Sequence, residues 1–267
     1  MPELPEITHL AQQINTHLPG KQIAAIEIIQ PKCLNLTEAE FRAALVGATF
    51  QGAQARGKWI LTRLDRGWLL LNLGMGGEIL LTAPDALPKK RRLVFLFNGG
   101  DCLSINFWWF GSAHYMAPDE LAVHPQVGKL GPNALEVDAA RLAELLHGQK
   151  GALKAFLLDQ SKIAGIGNAY VHDILFLARL HPLRKIPTLS PAEVNALAEG
   201  IQKGLLPSLE KGGAFYEQDL FGKPGGFKFE DILIGYREGQ PCPTCGTAIA
   251  KIKTGGTSSF ICPACQV

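Results

Sequence analysis

The residues best suited to chemistry stand at the two ends of the chain. It begins Met1-Pro2-Glu3-Leu4-Pro5-Glu6. A second residue as small as Pro2 favours removal of Met1, which leaves a secondary amine beside two carboxylates, Glu3 and Glu6. An α-amine titrates near 8, so roughly a tenth of it is neutral and nucleophilic at pH 7. When a secondary amine attacks a sugar C1′, the adduct is an iminium with no N–H proton to shed. It stays cationic, draws electrons from the sugar and acidifies the C2′ protons, which opens a route to β-elimination. A carboxylate such as Glu3 suits proton transfer at the sugar ring oxygen. The same Pro-Glu opening also reads as an ordinary helix start.

At the other end, Cys242-x-x-Cys245 and Cys262-x-x-Cys265 are separated by sixteen residues. Each pair offers two thiolates from one turn, the spacing of a tetrahedral zinc. Cys33 and Cys102 stand apart. Four cysteine ligands leave no open coordination position, so this zinc is structural. The stretch between the pairs, Ala248 to Lys253, then Gly255-Gly256, then Ser258 to Ile261, reads as a hairpin too small to fold on apolar burial alone; zinc supplies its stability.

Net charge is +2 and the isoelectric point near 8.2, too mild to identify a polyanionic partner by themselves. Distribution says more. Residues 148 to 190 hold Lys150, Lys154, Lys162, Arg179, Arg184 and Lys185 against Asp159 and Asp173, and Lys89-Lys90-Arg91-Arg92 are consecutive. Each cluster reads as a phosphate contact or as a solvated face. No apolar run approaches the roughly 20 residues that span a bilayer, and the N-terminus lacks the basic and apolar regions of a signal peptide. The expected location is the cytosol, on the nucleoid.

These groups need a scaffold, and the 267 residues, 47% of them hydrophobic, have room for two domains and a small appendage. Ile7, Leu10, Ala11, Ile14 and Leu18 fall at helical spacing, so a helix starts almost at the N-terminus. Thr37 and Glu40 form a capping box for a short helix that Gly47 stops, flanked by strands over 22–30 and 48–55. Trp59 to Leu64 pairs with Trp68 to Leu73 across Asp65-Arg66-Gly67, and Leu93 to Phe97 pairs with Cys102 to Phe107 across residues 98–101. These are β-sandwich signals. From about Pro132 the texture turns helical: Asp138 caps one helix, and Ser190 with Glu193 caps another through Val194, Leu197, Ile201 and Leu205. Residues 211–227, rich in Gly, Lys and Phe without helical periodicity, read as a mobile loop.

Over essentially its whole length the chain resembles the formamidopyrimidine-DNA glycosylase / endonuclease VIII family. The likeness rests on the Pro2–Glu6 opening, on Arg56-Gly57-Lys58, on Leu73-Gly74-Met75-Gly76, on residues 159–170 and on the four cysteines. It implies an α+β multidomain protein: an N-terminal catalytic β-sandwich with flanking helices (1–127), a helical helix-two-turn-helix DNA-binding domain (128–228) and a C-terminal zinc ribbon (229–267). It implies that Pro2 is the Schiff-base nucleophile, with Glu3 as general acid and Glu6 as a further catalytic carboxylate beside it. Lys58 would contact backbone phosphate and assist proton transfer, and its charge would favour the neutral amine. Met75, taken alone a core filler, would fill the space vacated by a flipped nucleotide. Asn168 and Lys154 would hold phosphate, with backbone amides at the helix start. Phe110 would be the wedge. Lys89 to Arg92, Arg91 foremost, fall where many members carry DNA-contacting histidines.

Two positions depart from the family pattern. Residues 106–111 read Asn-Phe-Trp-Trp-Phe-Gly, so Trp108 stands where the family has an arginine that hydrogen-bonds the cytosine opposite the lesion. An indole has one N–H and cannot reproduce that fork; it reads as a stacking surface for the exposed base, worth ~1–3 kcal/mol, or as a hairpin-tip aromatic. Thr257 stands where the zinc hairpin of the family carries a phosphate-clamping arginine active in δ-elimination, and Lys251 or Lys253 is the replacement charge in view. The resemblance thus implies a monomeric base-excision repair enzyme, with one structural zinc, that removes an oxidised or ring-opened base such as formamidopyrimidine or 8-oxoguanine from double-stranded DNA. It would nick the resulting abasic site by β-elimination, with δ-elimination and strict cytosine preference called into question. The alternative is a DNA-binding relative with little base excision that recognises abasic, single-stranded or distorted DNA. A zinc-ribbon transcription factor leaves Pro2, Lys58 and the Gly-Asn turn unexplained.

Overall fold

The structure, a computed structural model, describes all residues from 1 to 267. The chain groups into two compact units, Met1–Lys129 with Lys211–Gly226, and Leu130–Glu210 with Phe227–Val267.

In the first unit, helix α1 (Leu4–His17) buries Leu4, Ile7, Leu10, Ala11 and Ile14 along one face. Helix α2 (Glu38–Leu45) carries the expected capping box: Glu40 N donates to Thr37 Oγ1 at 3.3 Å and Thr37 N to Glu40 Oε2 at 3.0 Å. The strands are β1 (Ile23–Ile28), β2 (Phe50–Arg56), β3 (Trp59–Leu64), β4 (Gly67–Asn72), β5 (Glu78–Thr82), β6 (Leu93–Phe97), β7 (Cys102–Asn106) and β8 (Ser112–Met116). They form two antiparallel four-stranded sheets, ordered β1-β6-β7-β5 and β2-β3-β4-β8. Both hairpins read from the sequence are present. One core joins the sheets, with Ile26, Phe95, Phe97 and Ile105 from one meeting Phe50, Ile60, Leu69 and Leu71 from the other.

The segment 211–226, expected as a mobile loop, is pinned to this unit at several points. Ala214 N donates to Glu6 Oε1, Leu220 N to Gln13 Oε1, Gln13 Nε2 to Asp219 Oδ2 and Leu81 N to Leu220 O, at 2.8–3.1 Å. Leu220 is fully buried in the sandwich core.

In the second unit, Asp138 caps α3 (Ala139–Leu146) by accepting from Arg141 N at 2.7 Å. Ser190 and Glu193 exchange hydrogen bonds of 2.7 and 3.3 Å at the start of α6 (Pro191–Glu210). Between them lie α4 (Leu153–Leu158) and α5 (Val171–Leu177). A Cβ added at Gly204 of α6 would sit 2.6 Å from Ile174 Cγ1, so that glycine sets the close approach of α5 and α6. The terminal strands β9 (Ala250–Thr254) and β10 (Thr257–Ile261) pair as an antiparallel hairpin. Asp173 of α5 anchors the segment leading to it by accepting from Leu233, Ile234 and Gly235 amides at 2.7–3.0 Å.

Three histidines are held neutral inside this fold. His124 Nδ1 accepts from Val127 N at 3.0 Å, which leaves its Nε2–H to donate to His114 Nδ1 at 2.8 Å, beside the Trp59 ring. Burial, then the neighbouring His124, pushes His114 down to about 4; burial also lowers His124. Burial, then Lys154, pushes His172 down to about 3. Above pH 6.5 these rings are neutral folded or unfolded. Below it the unfolded chain takes up protons that the folded chain resists, so stability is lost between about 6.5 and 4. The melting temperature should fall over that interval, and a His114→Leu/His124→Leu variant should lose less of it than the parent does. Equal losses in the two proteins would contradict this reading.

Candidate active site and nucleic-acid interface

The first unit builds its N-terminus around one carboxylate. Glu6 Oε2 accepts from Glu3 N at 2.8 Å, closing the first turn of α1, while Oε1 accepts from Ala214 N at 3.1 Å. Pro2 is buried, and Glu3 and Glu6 are only 4% and 5% exposed. Burying two acids side by side is costly without a use for them. With Met1 in place the Pro2 nitrogen is an amide and has no nucleophilic lone pair. Its release as an amine therefore requires cleavage of the Met1-Pro2 bond.

Sequence reasoning missed Glu217, a lone acid in the irregular 211–227 stretch. Its Oε1 lies 3.2 Å from the Met1 ammonium, and its carboxyl is mostly buried. Burial raises its pKa, the N-terminal ammonium pulls it back, and Glu6 adds to the rise. The amino terminus therefore sits among acids contributed by two distant stretches of chain, a proximity invisible in the sequence.

Lys58 lies in the β2–β3 turn with Gly57, just ahead of β3, and is half-buried. Its carbonyl accepts from Asn72 Nδ2 at 3.1 Å, and Asn72 Oδ1 accepts from Gly74 N at 3.0 Å. Asn72, also unforeseen, thereby couples the Lys58 turn to the loop carrying Met75. That loop is locked in turn to residues 107–111. Met75 N donates to Trp109 O at 2.9 Å, and a Cβ at Gly74 would fall 2.0 Å from that same oxygen, so only glycine fits. The expected plug and wedge residues come together and face solvent: Met75 is 51% exposed, Trp108 61% and Phe110 79%. Phe110 has φ of +61°, an unusual conformation for a bulky residue, at the place where the apolar tip projects. Arg91 is partly committed, to Pro88 O at 3.2 Å and Glu27 at 3.5 Å.

The second unit carries the other expected residues. Asn168 is exposed ahead of α5, in a turn folded by Gln160, whose side chain bonds Ile166 O at 2.8 Å and Gly165 N at 2.9 Å. Lys154, expected on phosphate, is turned inward and 3% exposed. Its Nζ donates to Ser258 O at 2.7 Å and lies 2.9, 3.1 and 3.3 Å from the hydroxyls of Ser259, Thr257 and Thr254. Burial lowers this amine to about 8. The charge missing at Thr257 is thus matched by an ammonium directly beneath the hairpin. Of the two lysines in view as replacements, Lys251 leans over the Phe260 ring and toward Glu238, 3.9 Å away, and Lys253 is exposed on β9.

The four cysteine sulfurs meet at one point, with Cys242–Cys265, Cys245–Cys262 and Cys245–Cys265 separations of 3.9, 3.4 and 3.4 Å. Zinc–sulfur bonds of ~2.3 Å in a tetrahedron require sulfurs roughly 3.8 Å apart. The donor set fits one structural zinc.

Family models match three segments: the formamidopyrimidine-DNA glycosylase N-terminal domain over residues 1–107, its H2TH domain over 130–218, and a zinc finger found in FPG and IleRS over 239–267. Over its full length the chain is 37% identical to a formamidopyrimidine-DNA glycosylase of Roseiflexus sp., of which it covers 100%. It is 35% identical to one of Symbiobacterium thermophilum, of which it covers 89%. Among solved structures it resembles Lactococcus lactis Fpg bound to DNA containing N7-benzyl-Fapy-dG, with a TM-score of 0.91, 28% identity and 99% of each chain covered. It matches the same protein bound to abasic-site DNA with a TM-score of 0.90, 28% identity and the same coverage.

Replacing Lys154 by Met should release the hairpin tip while leaving the metal in place. Amides of residues 254–259 should exchange about tenfold faster or more, the effect of losing charge-assisted bonds worth ~1.5–3 kcal/mol, with zinc still at one per chain. Unchanged protection would show that Lys154 does not hold the hairpin.

Proposed function

This chain belongs to the formamidopyrimidine-DNA glycosylase family, and on that premise we propose that it excises oxidised or ring-opened bases from double-stranded DNA and nicks the abasic product through the amine of Pro2. The observation that carries this reading is the burial that begins at Pro2, with Glu3 and Glu6 nearly solvent-free beside it. The solved relatives hold DNA carrying a modified base or an abasic site, and the same substrate class is assigned here.

In this mechanism the Pro2 nitrogen bonds to C1′ as the C1′–base bond breaks, and Glu3 delivers a proton to the ring oxygen as the sugar opens. The resulting iminium cannot lose charge at nitrogen, so removal of a C2′ proton expels the 3′-phosphate and water then frees the enzyme. Glu6 keeps Glu3 and the first turn in register. Lys58 contacts phosphate and assists proton transfer. Met75 and Phe110 occupy the space of the flipped nucleotide, and Asn168 holds backbone phosphate. Arg91 adds a phosphate contact. Zinc, held by Cys242, Cys245, Cys262 and Cys265, stabilises the C-terminal hairpin and takes no part in bond making. The division 1–127, 128–228 and 229–267 names the functional segments. The enzyme works as a monomer in the cytoplasm, on the nucleoid.

The alternative, a relative that binds damaged DNA without excising, draws on the arginines absent at 108 and 257. Borohydride reduction on an abasic-site duplex separates the two. The mature parent should give a covalent protein–DNA complex, and Pro2→Gly/Glu3→Gln should lose it by at least a hundredfold. No complex with the parent would leave only the binding protein.

A further inference from the structure

In the second unit α3 and α6 run side by side in opposite senses. The end of α3 faces the start of α6, and the start of α3 faces Ala198 and Gln202, whose side chain donates to Leu135 O at 3.2 Å. A groove of about 830 Å³ lies over the first of these junctions. It continues past Ala139 and Asn195 into a second space of about 500 Å³ over the other junction. Its lining is apolar along the middle. Ala139, Ala140 and Ala143 of α3 present only methyl groups, Val194 of α6 stands opposite, and Leu146 and Ile186 lie buried beneath. A wall of methyl groups lets a third helix approach to roughly 8 Å, the close end of helix packing distances. The groove takes no residue from the 159–170 turn or from the 250–261 hairpin.

The two ends of the groove differ in sign. Ile186 N donates to Gly151 O at 3.1 Å and Leu153 N to Arg184 O at 2.9 Å, which lays residues 150–153 against 184–186. Exposed Lys150 and Lys185 are thereby gathered at one end, while Arg184 beside them is matched by Glu193 at 2.9 Å. At the other end Glu136, Asp138 and Glu199 are exposed. Glu199 also pairs with Lys203 at 2.8 Å, so Glu136 and Asp138 carry most of the negative charge there. A nucleic-acid backbone is negative throughout and is repelled by that acidic end. A helix with an apolar stripe, acids at one end and bases at the other fits all of these features at once. We propose that the α3–α6 groove receives one such helix of a partner protein, its acidic end over Lys150 and Lys185 and its basic end over Glu136 and Asp138. The apolar stripe supplies the affinity, and the opposed charges set the direction in which the helix lies. None of the residues used for base removal takes part, so the partner and DNA bind together.

The test uses the full zinc-loaded chain and three fluorescein-labelled peptides of about four helical turns. All share one leucine stripe; the first has glutamates at one end and lysines at the other, the second glutamates at both ends, the third lysines at both. Fluorescence anisotropy should show the first binding about tenfold more tightly than either control. Lys150→Glu/Lys185→Glu makes both ends of the groove acidic and should move the preference to the all-lysine peptide. Ala143 is exposed, so Ala143→Trp fills the groove from its surface. It should weaken the first peptide about tenfold or more, with zinc content, melting temperature and affinity for a tetrahydrofuran-containing duplex unchanged. Saturating duplex should leave peptide affinity within about twofold, a result independent of Pro2 chemistry. Four outcomes would overturn the proposal. They are no saturable binding of any peptide, a ranking that survives the charge reversal, a parent dimer in sedimentation that Ala143→Trp dissolves, or loss of duplex affinity in the charge variant with the peptide ranking unchanged. The third would give the groove to a second copy of the chain and the fourth would give its lysines to DNA.

Discussion

The arrangement depends first on the Glu6 carboxylate. One oxygen closes the first turn of α1 on Glu3 and the other reaches across the sequence to the Ala214 amide. A single buried acid thereby fixes where the chain begins and draws the 211–226 segment onto the sandwich. A nucleophile at a chain terminus faces an entropic difficulty, since the first residues of most chains are poorly ordered. Glu6, backed by the apolar face of α1, removes that freedom, and under the proposed mechanism this holds the α-amine beside its proton donor before substrate arrives.

A second constraint orders the projecting tip. Bonds run from the Lys58 carbonyl through the Asn72 side chain to Gly74, and from Met75 to the Trp109 carbonyl. Exposed apolar groups are costly and usually mark an interaction site. Here Met75, Trp108, Trp109 and Phe110 are raised into solvent by backbone bonds and by a position where only glycine fits. The zinc hairpin follows the same logic in the second unit, where the metal closes its base and Lys154 holds its tip from beneath.

Most of the fold was legible in the sequence because its signals are local. Capping boxes at Thr37 and Ser190, alternation in the two hairpins and the cysteine spacing each act within a few residues, and each appears as read. The residues missed are those whose partners lie far along the chain. Glu217 and Leu220 look like parts of an irregular loop until Met1, Gln13 and Leu81 are brought beside them. Lys154 lies in a basic stretch that reads as a phosphate surface, yet its acceptors are about a hundred residues away and turn it inward. Asn72 carries no motif at all. Pro2 could be proposed as a nucleophile from sequence because a terminus needs no neighbours to be an amine; the distant groups that order it could not be read there.

The most direct test of the central claim is where the sugar attaches. After borohydride reduction on an abasic-site duplex, nuclease trimming and trypsin digestion, the adduct mass should fall on the peptide Pro2–Lys21, which lacks Met1, with fragmentation placing it on the Pro2 nitrogen. An adduct on a lysine such as Lys58, or on a chain that retains Met1, would contradict the account.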